Sequence, residues 1–188
     1  RTVCMLARDI TDRKMAEENL LRTQTRLKLL NSVLACMASG SAAEEIITRT
    51  VTRIGEYFPD LRASYATISE HGQLTFLCSS EPAGWPSLRG QIVDLNSAPE
   101  YLAALRRRER VITADASLDS RLQPLARTLA AHGNRALLNL PLLHTTREMG
   151  VLSLGSPDPH EWSEHEIVCV QELAEHLIIA FRQYDAEQ

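Results

Sequence analysis

Four runs of alternating apolar residues, arranged as two adjacent pairs, constrain the fold of this chain most strongly. The first pair is "ASYATISE" (63–70) and "QLTFLCSS" (73–80), joined through His71-Gly72. The second pair is "RALLNLPLL" (135–143) and "EMGVLSLGS" (148–156), arranged around "HTTRE". Apolar residues at a period of two are typical of β-strands, and a short turn between two such runs predicts a hairpin. We therefore predict two β-hairpins.

Two shorter strands and several helices are predicted between and around these hairpins. "QIVDL" (91–95) and "RVITAD" (110–115) have the β-branched content of strands. The helical patterns begin after Gly40, at "YLAALRRR" (101–108), at Asp119 or Ser120, and near Ser163. This order predicts an α+β fold, a six-stranded antiparallel sheet with helices on both faces, together with a long N-terminal helix.

The helix predicted after Asp119 or Ser120 has a clear inward side and a clear end. Leu122, Leu125 and Leu129 recur at helical spacing, so we expect them to face the core. Gly133 is the expected stop, because glycine readily adopts the left-handed conformation that ends many helices.

Three pairs of the capping-box type mark predicted helix starts. In this arrangement a Ser hydroxyl and the carboxylate of a Glu three residues later each accept a hydrogen bond from a free backbone amide of the first turn. The pairs are Ser41/Glu44, Ser97/Glu100 and Ser163/Glu166. We also expect Trp162 to pack against Ile167 as a hydrophobic staple.

The segment from about 13 to 38 contains no glycine or proline and predicts a continuous helix. Its apolar residues follow a heptad, interrupted only at Thr23, which favours a parallel dimer seam over packing on the chain's own domain. The alternative, an amphipathic helix on its own domain, stays open. The seam residues are Ala16, Leu20, Leu27, Leu30, Leu34 and Met37.

The opening stretch predicts a strand that passes into this helix. "TVCMLARDI" (2–10) is rich in β-branched and apolar residues, and Thr11 is placed to cap the helix that follows. Asp9 and Arg13 are four residues apart, within reach of an ion pair if the first turn is helical. Because the chain begins with Arg1, we expect it to be a fragment of a larger protein.

Composition limits the classes of function. The chain has 188 residues, of which 44% are apolar and 23% are charged, with a net charge of −4. This is ordinary globular composition and argues against a nucleic-acid-binding surface. No apolar run approaches the length of a membrane span. Four widely spaced cysteines, with no CxxC pair, predict structural thiols in a reducing cytoplasm; they are Cys4, Cys36, Cys78 and Cys169.

Sequence patterns of catalysis are missing from the chain. There is no G-x-G-x-x-G, no P-loop and no G-x-S-x-G motif, and the histidine spacings do not form a metal clamp. We therefore expect neither a catalytic site nor a metal site, and no evident cofactor.

Residues 29–181 resemble a GAF domain, the small-molecule sensory module of bacterial signalling proteins. The resemblance is carried by the late hairpin "NRALLNLPLL"/"REMGVLSLGS" and by the closing helix "PHEWSEHEIVCVQELAEHLIIAF". The strand, loop, helix and strand order of "ERVITADASLDSRLQPLARTLAAHGNRALLNLPL" follows the same family. The chain lacks the Asn-Lys…Phe…Asp-Glu pattern of cyclic-nucleotide members, and residues 115–135 contain no cysteine for bilin attachment. The resemblance therefore implies a different, unknown small ligand.

The start of the chain is similar to the Asp-Ile-Thr ending of PAS domains. This implies a PAS tail over 1–12, a coiled-coil linker helix over 13–38, a GAF domain over 39–182 and the start of a further linker over 183–188. A homodimer through the N-terminal helix, and through the C-terminal helix as well, is expected. The partners in cis would be an upstream PAS domain and a downstream output domain, with no direct membrane contact and with any membrane anchor elsewhere in the parent.

The function implied by the resemblance is a non-catalytic sensory module, most simply of a sensor histidine kinase, that binds a small ligand and relays a signal through dimeric helices. Asp115 and Asn139 are the polar pocket candidates, because burial of such groups requires a partner. For each aliphatic candidate, a plain core role is at least as good an interpretation. The pocket candidates are Tyr65, Thr67, Phe76, Cys78, Ile92, Leu102, Ile112, Asp115, Leu125, Leu129, Leu138 and Asn139.

Two alternatives remain open at this point. One is a ligand-free dimerisation spacer, in a GGDEF-type diguanylate cyclase or another multidomain regulator, with the pocket filled by Trp85, Leu88 or aliphatic side chains. The other is a remote one, an enzyme of the methionine-sulfoxide-reducing kind that uses Cys78.

Overall fold

The structure, a computed structural model, describes residues 2–38, 42–143 and 149–186, with side chains described for 10–38, 42–143, 149–179 and 181. Short 3-10 turns lie at Leu95–Ser97 and Gln123–Leu125. The helices are α1 (Thr2–Ala38), α2 (Ala43–Tyr57), α3 (Pro99–Arg106), α4 (Ala126–Ala131) and α5 (Glu164–Ala186). The strands are β1 (Arg62–Ile68), β2 (Gln73–Ser80), β3 (Ile92–Asp94), β4 (Val111–Thr113), β5 (Ala136–Leu143) and β6 (Met149–Ser156).

The strands form one six-stranded sheet in the order β3-β2-β1-β6-β5-β4. Every pair of neighbours is antiparallel, which confirms the predicted sheet and both predicted hairpins. The register of β1 against β2 shifts between Tyr65 and Ala66, whose partners are Cys78 and Phe76. Leu77 is therefore the extra residue of a β-bulge, which reverses the alternation of side chains along β2.

The two sides of this sheet carry different side chains, because successive residues of a strand point to opposite faces. On one side, here called the helix face, Tyr65, Leu152 and Leu140 lie in one row across β1, β6 and β5, and α1, α2 and α5 cover them. On the other side, here called the cavity face, the neighbouring row is Ser64, Ser153 and Asn139. The second apolar cluster, with α3 and the segment around α4, covers this side.

The N-terminal helix is longer than predicted. Residues 2–10, expected to form a strand, belong to α1, so that prediction is wrong, and Thr11 lies inside the helix rather than at its start. A helix satisfies its own backbone hydrogen bonds, whereas a strand needs a neighbouring edge, and no described strand pairs with this segment. Arg13 pairs with Glu17 at 3.2 Å. The side chain of Asp9 lies outside the described residues.

The seam positions of α1 divide into exposed and half-buried residues. Leu29 and Val33 are buried and attach α1 to its own domain, and Leu30 and Met37 pack partly against the same core. The remaining seam residues are exposed on the described structure, namely Ala16, Leu20, Leu27 and Leu34. None of the described helices combines the length and apolar character needed to cross a bilayer.

The three predicted capping boxes have three different outcomes. Ser163 and Glu166 form one: Ser163 N donates to Glu166 Oε2 at 2.7 Å, and Glu166 N donates to Ser163 Oγ at 3.3 Å. The Ser97/Glu100 prediction is wrong, because Ser97 lies in a 3-10 turn, its hydroxyl donates to the Asp94 carbonyl, and Ala98 precedes α3. Ser41 lies outside the described residues.

The helix expected from Asp119 or Ser120 begins later, at Ala126, after the 3-10 turn that contains Pro124. Asp119 instead closes a turn, in which its carboxylate accepts from the backbone N–H of Arg121 at 3.0 Å. The inward side is confirmed, since Leu122, Leu125 and Leu129 are all buried. Gly133 follows with a φ of +71°, as expected for the end of this helix.

Candidate functional site

A largely enclosed cavity of about 30 Å³ lies between the cavity face of the sheet and the segments around α3 and α4. Its polar lining comes from Ser64, Tyr101, Asn134, Asn139 and Ser153. The remaining lining residues are apolar or glycine, namely Leu74, Phe76, Val93, Leu95, Leu125, Leu129, Leu137 and Gly155. A buried water needs at least roughly 10–15 Å³ on this measure, so the space has room for one or two waters.

The register of the sheet explains the polar row at the base of the cavity. Ser153 of β6 pairs with Ser64 of β1 on one side and with Asn139 of β5 on the other. All three therefore point to the same face, whereas their chain neighbours Tyr65 and Leu152 point to the helix face. Antiparallel pairing thus places three polar side chains side by side in the centre of the sheet.

Asn139 is the most informative residue of this row. Its side chain is 3% exposed, and its Nδ2 donates to Tyr101 Oη at 2.6 Å. Its Oδ1 is buried and has no hydrogen-bond partner in the structure. An unpaired buried carbonyl oxygen lowers the stability of the fold, so a hydrogen-bond donor from outside the protein would be stabilising at this position.

Tyr101 reaches the cavity from α3, whose Pro99 lies in its first turn and whose Tyr101, Leu102 and Leu105 are buried. Burial strongly raises the pKa of the Tyr101 phenol, and the hydrogen bond from Asn139 and the charge of Arg121 only partly offset this. The hydroxyl is therefore neutral, able to donate one hydrogen bond and to accept others.

Asn134 lies between the cavity and a buried arginine. Its Oδ1 accepts from Nη1 of Arg62 at 3.5 Å, and its backbone N–H donates to the Leu129 carbonyl at 2.8 Å. Gly155 makes room for it, because a Cβ at this position would collide with the Asn134 side-chain carbonyl. A glycine is thus required where the strand meets this amide.

Arg62 joins the segments around the cavity although it is only 1% exposed. Its guanidinium donates to the carbonyls of His132 and, at 2.8 Å, of Pro86, and lies 5.1 Å from the centre of the Trp85 ring. Its Nε has no partner in the structure. Burial lowers the pKa of Arg62, and the charge of Glu81 opposes this shift. Arg62 thereby connects β1 to the loop before β3 and to the end of α4.

Four of the predicted pocket residues line the cavity: Phe76, Leu125, Leu129 and Asn139. Leu102 belongs to the same apolar cluster without lining the space. Ile92 is 59% exposed at the edge of the sheet. The remaining apolar and hydroxyl candidates lie on the helix face, namely Tyr65, Thr67, Cys78, Ile112 and Leu138.

Asp115 lies beside the cavity rather than in its lining. Its Oδ2 accepts from Nη2 of Arg135 at 2.7 Å, and its Oδ1 accepts from the Ser117 hydroxyl at 2.6 Å. These two hydrogen bonds hold the pKa of the Asp115 carboxyl well below its usual range. The protein itself thus supplies the hydrogen-bond partners of Asp115, and these bonds stabilise the turn after β4.

Cys78 is buried on the helix face and is not exposed to the cavity. Burial raises the pKa of its thiol to about 11, which disfavours the reactive thiolate. Within the described residues, no cluster of three or more His, Cys, Asp or Glu side chains could hold a metal ion.

Sequence reasoning missed five polar residues of the site: Arg62, Ser64, Tyr101, Asn134 and Ser153. A usable signal existed for Ser64 and Ser153, because each alternates with apolar residues along its strand. Arg62 directly precedes the apolar run of β1, and a charged residue at that position is typical of an exposed strand end. The sequence pattern therefore does not predict its burial. Tyr101 and Asn134 reach the cavity only through tertiary packing.

Comparison with solved structures shows the same architecture. The phycoerythrobilin-bound GAF domain from a cyanobacterial phytochrome is 18% identical with a TM-score of 0.74, covering 88% of this chain and 98% of that one. The PixJ GAF domain from Thermosynechococcus elongatus is 23% identical with a TM-score of 0.67, covering 78% and 89%. The GAF domain of a Coxiella burnetii phosphoenolpyruvate-protein phosphotransferase is 20% identical with a TM-score of 0.66, covering 87% and 96%. Identities this low establish the fold alone.

Among curated proteins, none matches this chain in sequence. The sequence model of the GAF domain, in contrast, matches residues 42–181, which include every strand of the sheet and the residues that line the cavity. The chain belongs to the GAF domain family.

Proposed function

We propose that this chain is a non-catalytic sensory module, in which a small ligand binds at the cavity face and changes the packing of α1 and α5 on the helix face. The observation that carries the proposal is the enclosed cavity with the unpartnered buried amide oxygen of Asn139 at its base. A phycoerythrobilin-bound GAF domain has the same fold, which supports ligand binding as a use of this architecture.

The sheet is the physical link between the two faces. Residues that alternate along β1, β5 and β6 contact the cavity on one side and the helices on the other. On the helix side, Tyr57 Oη and His165 Nε2 are 2.8 Å apart, and Arg26 Nε lies 3.5 Å from Glu172 Oε2. These contacts join α2 to α5 and α1 to α5, so a tilt of the sheet changes the positions of both long helices.

The proposed setting is a homodimeric, cytoplasmic sensor histidine kinase. In it, residues 1–12 are the tail of a PAS domain, 13–38 a coiled-coil linker, 39–182 the sensory domain and 183–188 the beginning of a linker to the output domain. The exposed residues Leu20, Leu27 and Leu34 recur at seven-residue spacing along α1, which supports a dimer seam.

Isothermal titration of the 188-residue chain against a panel of small metabolites tests the ligand proposal. We expect one chemical class to bind and Leu129→Trp, which fills the cavity, to abolish that binding. Leu118→Trp is the matched control, because the same substitution falls on a leucine that is 84% exposed. Consistent silence across the panel, or binding that survives Leu129→Trp, would contradict the proposal.

A second candidate function is a ligand-free dimerisation spacer in a diguanylate cyclase or another multidomain regulator. Two observations favour it: the cavity as it stands has room only for water, and Leu88 is fully buried in the apolar cluster around it. In sedimentation velocity, Leu27→Asp and Leu34→Asp should then convert a dimer to monomers while Leu118→Asp does not. A dimer that survives both substitutions would contradict dimerisation through this seam.

A sulfoxide-reducing enzyme remains the remote alternative. The position of Cys78 on the helix face, away from the cavity, and its raised pKa speak against it. Turnover of free methionine sulfoxide that disappears in Cys78→Ser would revive it.

A further inference from the structure

The base of the cavity contains an adjacent hydrogen-bond donor and acceptor that the protein leaves unused. Asn139 and Tyr101 bond to each other, Nδ2 to Oη, at 2.6 Å. In this arrangement Asn139 Oδ1 has no partner, and the proton of the Tyr101 hydroxyl has no acceptor among the described residues. The free acceptor and the free donor belong to two groups in direct contact.

This conclusion does not depend on the orientation of the Asn139 amide. If the amide is turned over, the Tyr101 hydroxyl donates to Oδ1, which leaves Nδ2 as the free donor and the phenol oxygen as the free acceptor. Both orientations therefore present one donor beside one acceptor. A carbonyl alone on a ligand would satisfy only the donor, and an N–H alone would satisfy only the acceptor.

The charge of the lining adds a second restriction. Among the described residues that line the cavity, no side chain is ionised, since Tyr101 is held neutral by burial. Two nearby arginines do not line the space. Arg62 bonds the carbonyls of His132 and Pro86 and is separated from the cavity by Asn134, whose Oδ1 it also contacts, and Arg121 pairs with Asp119 at 2.7 Å. Moving a carboxylate or phosphate into such surroundings without a counter-charge is unfavourable.

From these observations we propose that the cavity takes an uncharged, flat heterocycle with a lactam edge, in which an N–H and a carbonyl lie side by side and pair with Asn139 and Tyr101. The apolar body of such a ring would lie against Phe76, Leu125 and Leu129. This inference rests on the proposed function, of which it names the ligand class.

The segment with α4 is the part of the wall that must move to admit a ring. Helix α4 has six residues, and only Leu129 among them is buried. Short segments with few buried contacts open at low free-energy cost. An outward shift of α4 gives the volume that the closed cavity lacks, and it also displaces the His132 carbonyl that Arg62 binds.

Three probes of the same ring size test the ligand class on the full chain: 2-pyridone, 2-pyranone and 2-pyridone-6-carboxylate. The first has the lactam edge, the second keeps the carbonyl but replaces the N–H by oxygen, and the third adds a negative charge. Measured by titration calorimetry and saturation-transfer NMR, 2-pyridone should bind at least about tenfold more tightly than 2-pyranone, a factor that corresponds to one good hydrogen bond. The carboxylate should not bind.

Two variants remove the pairing groups, and one control leaves them intact. Asn139→Leu and Tyr101→Phe should each reduce the affinity for 2-pyridone to that for 2-pyranone. Thr67→Val, a similar change on the helix face of β1, should leave it unchanged. Because one variant changes the amide and the other only a hydroxyl, failure of one to fold does not remove the test.

The outcomes separate this inference from the function on which it rests. Equal binding of 2-pyridone and 2-pyranone, preference for the carboxylate, or 2-pyridone binding that is unaffected by Asn139→Leu overturns the lactam edge but leaves a ligand-binding module. No binding of any probe at millimolar concentration, even when Leu129→Ala enlarges the cavity, likewise overturns the lactam edge. The ligand-binding function is overturned with it only if the metabolite panel is silent as well.

Discussion

The two faces of the sheet are built by the same strands and have opposite character. On the helix face, Tyr65, Leu152 and Leu140 form a continuous apolar row, whereas one residue away Ser64, Ser153 and Asn139 form a polar row. Alternation allows a single strand to supply a closed core and a binding site at once. A site of this kind can therefore be added to a stable fold without interrupting the core.

The elements that cover the two faces also differ. Helix α2 alone buries five residues on the helix face, and α5 extends over 23 residues. The cavity face is covered by α3 and α4, of eight and six residues, and by the segments around them. Since local stability follows buried apolar contact, the helix face should be the rigid side and the cavity face the adaptable side.

Leucine-to-alanine substitutions should destabilise the helix face more than the cavity face. Leu152→Ala on the helix face should lower the free energy of unfolding by about 3–4 kcal/mol, because the long helices cannot collapse onto the space. Leu125→Ala on the cavity face should cost only about 2 kcal/mol, because α4 can move inward. Both leucines are buried, at 0% and 3% exposure, so the pair is matched. Urea denaturation measures the difference, and equal losses would mean that the cavity face is as rigid as the helix face.

The next effect concerns Arg62, which joins the covering segments of the cavity face. Arg62→Met leaves the carbonyls of Pro86 and His132 without their donor and should lower the free energy of unfolding by about 2–3 kcal/mol. Arg53→Met, at an exposed arginine that pairs with Glu56, should change it by less than about 0.5 kcal/mol. Similar losses for the two variants, measured by urea denaturation, would show that Arg62 does not hold these segments.

A double-mutant cycle at Tyr101 and Asn139 tests whether this polar pair on the cavity face is coupled. Tyr101→Phe alone should cost about 1–2 kcal/mol, because the Asn139 amide then loses its partner. The double variant with Asn139→Leu should lie within about 1 kcal/mol of the unchanged protein, since replacing both buried polar groups removes the unpaired atom. Thermal and urea unfolding give the coupling. Additive losses would mean that the two side chains are not coupled, which would contradict the hydrogen bond between them.

The smallest effect is expected for the pH-dependent contribution of Asp115 to the stability of the fold. Its pKa is depressed in the folded chain, so its stabilising contribution is present above the ordinary value of 3.8 and is lost progressively as the pH falls below that value toward the depressed pKa. Asp115→Asn should therefore lower the melting temperature at pH 7 and reduce the further loss between pH 7 and pH 3. The effect is modest because Arg135 is 45% exposed and its charge is screened.

Asp60→Asn, at an exposed carboxylate, is the control for this measurement. If Asp115→Asn and Asp60→Asn show the same pH profile, the pair with Arg135 contributes nothing.

Much of the fold was predictable because the strand and helix signals are local. Both hairpins, the short strands and the Ser163/Glu166 cap follow from alternation and capping within a few residues. The strand expected over residues 2–10 was wrong because β-branched content is a weak preference, and the helical continuity of a stretch without glycine or proline prevailed.

The candidate site was only partly predictable, because it depends on which face each residue points to. Leu138 and Asn139 are neighbours in one strand and cannot both face the cavity, a restriction that alternation alone supplies. Phe76 and Cys78 are two apart and would share a face in a regular strand. The bulge at Leu77 places Phe76 at the cavity and Cys78 against the helices. No pattern in the sequence predicts that bulge.

Strand β6 contains two glycines that accommodate neighbours on opposite faces. Gly150 lies under the Tyr65 ring on the helix face, and Gly155 lies against Asn134 on the cavity face, with no space for a Cβ at either. A slip of β6 by one residue would put Val151 under the Tyr65 ring and would exchange every side chain between the two faces. The two close contacts therefore fix the register of β6 against its neighbours. Motion that passes through it from one face to the other must be a tilt or a bend of the whole strand, not a slide.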